Sequence, residues 1–96
     1  MWYVIAFLLL SANVAADVEK GSAARKSGDY ETAVHEYSAA AKQGDPIAQY
    51  NLALMYDLGD GVPQDIRAAF KLYKASAENG YLLAQYNLAV MYERGE

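Results

Sequence analysis

Residues 48–53 read Ala-Gln-Tyr-Asn-Leu-Ala, and residues 84–89 read the same six letters, 36 positions later. Laying residues 29–60 over 65–96 gives 15 identities in 32 positions, among them Asp29/Asp65, Ala33/Ala69, Tyr37/Tyr73, Gly44/Gly80, Met55/Met91 and Tyr56/Tyr92. A period in this range is the mark of a stacked helical array, in which one unit buries its apolar face only against a neighbour. It also moves the expected function from chemistry towards binding.

Within the period the helices can be placed. Ala48, Leu52, Met55 and Tyr56 fall at i, i+4, i+7 and i+8, one face of a helix over 46–58 that opens on Pro46 and stops at Gly59. The stretch Gly59-Asp-Gly-Val-Pro-Gln-Asp65 reads as a turn, with Asp65 as the N-cap of a second helix reaching about Asn79 and closed by Gly80. Ala69, Leu72, Tyr73, Ser76 and Ala77 face inward on that helix. Segment 82–94 repeats the first helix, 30–43 is the earlier counterpart of the second, and a short helix over about 18–26 precedes it. The expected fold is all-α: five helices in antiparallel pairs, with Ala at the crossings where backbones approach closely.

The first sixteen residues read differently. Met1–Leu10 is an apolar run of signal-peptide length, and Ser11–Ala16 ends in small residues suited to cleavage after Ala16, although no Lys or Arg precedes the run. An exported protein beginning at Asp17 is therefore expected, periplasmic or secreted; an uncleaved N-terminal anchor is the alternative. Residues 17–96 then form the repeat domain. They hold all eight basic and twelve acidic side chains, for a net charge of −4. The basic residues are scattered among acids, so there is no stripe for nucleic-acid phosphates. With no Cys, stability rests on packing alone.

Taken together, Ala48-Gln49-Tyr50-Asn51-Leu52-Ala53-Leu54-Met55-Tyr56, the Gly59-x-Gly-Val-x-x-Asp65 loop, and Ala69, Tyr73, Ala77 and Gly80 resemble a Sel1-like repeat, a close relative of the tetratricopeptide repeat. The resemblance covers a full unit at 45–80 and a half unit at 81–96, with 17–44 as a divergent first unit. It implies antiparallel helix pairs stacked as a right-handed α-solenoid of about two and a half units. It further implies a protein–protein adaptor or regulator, in bacteria often exported to the periplasm or beyond. Ala53 and Ala89 stand where the family usually has Gly, and residues 18–44 lack the longer loop.

No chemistry-bearing set stands out. His35 is the single histidine, and with no Cys a zinc site would need carboxylates for every other ligand. Only Ser38, of Ser22, Ser27, Ser38 and Ser76, lies within a helical turn of that base. The Asp57/Asp60 and Glu93/Glu96 pairs lack the alternating oxygens and closing Glu of a calcium loop, and read as solvated turns. Gly59-x-Gly61 has no following Gly-Lys-Ser/Thr. No catalytic residue, metal or cofactor is expected. Exported cysteine-rich members of the family are associated with penicillin binding and weak β-lactamase activity, but their cysteines and a Ser-x-x-Lys motif are missing here.

Tyrosine is the unusual abundance, nine in the chain. Tyr37, Tyr56, Tyr73 and Tyr92 fall on inward positions. Tyr50 and Tyr86 sit two residues before Leu52 and Leu88, roughly 160° away around the axis. By resemblance to tetratricopeptide arrays, Ile47, Tyr50, Leu54 and Asp57, echoed by Leu83, Tyr86, Val90 and Glu93, line the concave face where a protein or peptide partner binds. Packing between adjacent units is the competing role for the two tyrosines. Further repeats or self-association are the expected cover for helix 82–94.

Overall fold

The computed structural model describes residues 2–95, with side chains described from residue 13 onward. It contains α1 (Trp2–Lys26), α2 (Tyr30–Lys42), α3 (Pro46–Leu58), α4 (Ile66–Glu78) and α5 (Leu82–Glu93). The helices alternate in antiparallel contact: α1 against α2, α2 against α3, α3 against α4, α4 against α5. The described residues form an all-α solenoid of about two and a half helix pairs.

The caps explain the boundaries. Asp29, Asp45 and Asp65 each accept from a backbone N–H three residues on, at 3.3, 2.9 and 3.1 Å, so three helix starts are satisfied in one way. Pro46 occupies the first turn of α3. Tyr81 replaces that Asp before α5 and makes no side-chain cap. The 59–65 turn is tied back onto α3: the Asp65 N–H donates to the Tyr56 carbonyl at 2.9 Å, and Gln64 Nε2 to the Asp57 carbonyl at 2.8 Å.

One boundary departs from the sequence reading. The first helix runs from Trp2, not from about residue 18. Residues 2–26 contain no Pro and a single Gly, so nothing in the chain stops helix propagation between the apolar run and the first unit. Val14 packs against the core, so a chain cut after Ala16 would lose that contact.

Two apolar clusters stack along the array. The first gathers Ala33, Tyr37, Ala40, Ala48, Leu52 and Met55 from α2 and α3, with Val18 and Leu72 packed against it. The second gathers Ala53, Ala69, Tyr73 and Met91 from α3, α4 and α5. Alanine at the crossings lets each tyrosine ring fill the space between helices. In the first pair the same place is taken by Gly21: a Cβ there would lie 2.8 Å from the Tyr37 ring. Tyr92 corrects the inward assignment. It is 59% exposed, with its ring edge-on to Phe70 at 5.7 Å, because no described helix covers α5 as α4 covers α3.

Candidate interaction surface

The repeated Ala-Gln pair has a structural task. Ala48 is fully buried and lets the start of α3 approach the end of α2, where the last carbonyls of a helix lack intrahelical partners. Gln49 Nε2 donates to the Ala41 carbonyl at 3.4 Å, and Gln85 Nε2 to the Ala77 carbonyl at 3.1 Å, the same link one period on. Asn79 Nδ2 adds a bond to Gln49 Oε1 at 3.2 Å, and the buried Ser76 hydroxyl donates to the Pro46 carbonyl at 2.7 Å. Gln49 is buried whereas Gln85 is exposed. Gln49→Ala is therefore expected to cost about 1–2 kcal/mol in urea unfolding, and Gln85→Ala less than about 0.5. Equal losses would contradict this account of the motif.

The eight expected contact positions divide. Ile47 is 41% exposed, and Leu83 and Glu93 are exposed as well. Leu54 is half-buried against the second cluster. Tyr50 packs between units: its ring meets Tyr73 at 5.8 Å and, edge-on, Tyr81 at 5.2 Å. Tyr86, its repeat counterpart, is 69% exposed. The letters around the two are identical, so the difference lies in what stands beside them.

Asp57, Tyr86 and Val90 come together in one groove of about 280 Å³ between the first helices of successive units, joined by Asn87, Arg94, Met91 and the Tyr73 hydroxyl. Asn87 and Arg94 were not singled out in the sequence. The recurrence of Asn51 as Asn87 is the signal for the first; Arg94 replaces Leu58 and breaks the repeat. At the groove floor Tyr73 donates to Asp57 Oδ2 at 3.4 Å. Burial pushes the Tyr73 phenol up to about 12, with Asn87 pulling it down and Asp57 adding to the rise. Tyr37 is raised for the same reason, with Ser22 and Arg25 opposing. An aromatic wall, an amide, a carboxylate and a guanidinium in one open groove supply contact area plus donors and acceptors. That suits a peptide segment. His35 is exposed on α2, and Glu96 lies outside the described residues.

An all-α array of repeated helix pairs that presents an open groove is a binding scaffold. The family model of the Sel1 repeat matches residues 12–45, 46–81 and 82–96, and the chain belongs to the Sel1 repeat family. Sel1 repeats are protein-interaction modules. A Sel1 repeat protein from Oxalobacter formigenes has a similar crystal structure, with a TM-score of 0.72 and 32% identity over 86% of this chain and 32% of that one. Among curated proteins, the exopolysaccharide production negative regulator of Rhizobium leguminosarum bv. viciae is 46% identical over 52 residues, which is 54% of this chain. The match spans 20% of that regulator's length.

Proposed function

We propose that this chain is an exported, non-catalytic adaptor or regulator that binds a protein segment along its first-helix face. The face comprises Ile47, Tyr50, Leu54, Asp57, Leu83, Tyr86, Val90 and Glu93, and its centre is the groove that Asp57, Tyr86 and Val90 share. That convergence is the observation carrying the reading. The regulator name of the Rhizobium relative supports a regulatory role.

Because Tyr50 is tied into the packing, the informative variant is Tyr86→Ala alone. Peptides selected on the immobilised wild-type chain are expected to lose about tenfold or more in affinity for this variant, the penalty of removing an interfacial aromatic anchor, with helicity unchanged. Equal affinity would overturn the groove assignment.

Retention of the N-terminal segment is a second reading, favoured by the unbroken helix Trp2–Lys26 and by Val14 against the core. Among the described residues no helix is long and apolar enough to cross a membrane. The intact mass of the exported protein separates the two: a cleaved chain begins at Asp17.

A further inference from the structure

Helices α2 and α4 both pack on α3 and leave an open trough between them, with a volume of about 400 Å³. Its floor is apolar: Leu52 is buried, and Tyr56 and Leu72 are half-buried. Floor and walls all come from residues 38–72, inside the array, on the side formed by the second helices.

The rim of this trough is basic. Lys42 on the α2 wall and Lys71 on the α4 wall are exposed, with the half-buried Ser38 beside them, and none of the described lining residues is acidic. Lys71 belongs to a row, Arg67, Lys71 and Lys74, at i, i+4 and i+7 along α4, whose single acid is its last residue, Glu78. In a chain of net charge −4 that is a local excess of cations. One period after Lys42 stands Glu78, so two cations facing each other across a trough belong to this unit and not to the repeat as such.

The shape selects the class of occupant. Apolar groups recessed between two helices do not insert into a bilayer; a partner has to carry a side chain down to them. The trough is open along its length, whereas a small molecule binds well only where most of its surface is enclosed. We propose that the α2/α4 trough docks an acidic segment of another protein, seating one Leu or Phe side chain on Leu52, Tyr56 and Leu72 between carboxylates that meet Lys42 and Lys71. The rim charges set selectivity and rate of encounter, and the seated apolar side chain supplies the hold. This surface is separate from the first-helix face and stands independently of it.

The probe is a random peptide display library, selected on the full chain carrying Tyr86→Ala so that the first-helix groove contributes little. Enriched peptides are expected to be acidic, with a Leu or Phe flanked by Asp or Glu, although the chain itself is acidic. For one such peptide, synthesised and labelled, Lys42→Gln with Lys71→Gln should weaken binding about fivefold or more at low salt. The loss should shrink in about 0.5 M salt, where the screening length is short. Arg67→Gln with Lys74→Gln removes the same charge outside the trough and should cost less than about twofold. All four side chains are exposed, so helicity is unchanged. Ser38→Phe fills the trough, leaves the charges, and should weaken binding about tenfold or more. Enriched peptides without acids, equal losses from the two glutamine pairs, or no enrichment would each overturn the proposal. So would Lys42- and Lys71-dependent binding to phosphatidylglycerol vesicles in place of peptide, or self-association lost in the same variants.

Discussion

Replacing Tyr73 by Ala is expected to lower the unfolding free energy by about 3–5 kcal/mol, in the range for emptying a large buried aromatic site. The ring is fully buried in the second cluster with Ala53, Ala69 and Met91, and it carries the Tyr50 ring at 5.8 Å. Its loss removes the wedge that holds α3, α4 and α5 together. Small domains have only about 5–15 kcal/mol in total, so this variant should be partly unfolded at moderate temperature. Tyr73→Phe keeps the wedge and removes only the hydroxyl between Asp57 and Asn87, for a loss of about 1 kcal/mol. The same hydroxyl sets an alkaline limit. Its folded pKa of about 12 lies above the ordinary 10.0, so the neutral form is the one favoured by folding. The contribution is fully present below pH 10 and is lost as pH rises towards 12. Urea midpoints measured across that window should fall more steeply for the wild type than for Tyr73→Phe. Parallel curves would remove Tyr73 as the cause.

Gly61→Ala is expected to be the second large loss, about 2–5 kcal/mol, from a left-handed backbone and a contact that cannot yield. Gly61 has a φ of 73°, and an added Cβ would meet the Tyr30 carbonyl oxygen at 2.7 Å. That neighbour is backbone at the first turn of α2, so relief requires lifting the 59–65 turn from the preceding unit. Gly28→Ala is the control. Its φ is 85°, yet an added Cβ there meets nothing within 4 Å, so only the conformational cost of about 1–2 kcal/mol applies. Equal losses at the two sites would mean that the turn does not rest on α2.

Helix order, the Asp65 cap and the placing of Tyr37 and Tyr73 were legible because a 36-residue period repeats each signal and local patterns agree with it. Gly21 was hidden by a change of register. Three residues, 27–29, link α1 to α2, whereas seven, 59–65, link α3 to α4. The counterpart of Ala53 in the first pair therefore lies 32 positions upstream, and that residue is the glycine under the Tyr37 ring. The same shift puts Lys20 and Ala23, both exposed, where the second unit buries Leu52 and Met55, giving that end of the stack a more polar face. Tyr50 and Tyr86 show the limit of reading letters alone. Identical neighbours in sequence leave one packed and the other open, since burial depends on the adjoining unit.

The central claim is that like pairs of helices stand side by side in one register. Proton NMR tests it through two contacts: the Gly21 α-protons with the Tyr37 ring, within the first pair, and the Tyr50 ring with the Tyr81 ring, across successive pairs. The account predicts cross-peaks for both, since a Cβ at Gly21 would lie 2.8 Å from the first ring and the second pair of centroids is 5.2 Å apart. A spectrum showing the first contact without the second would describe separate hairpins that do not stack, and would contradict it.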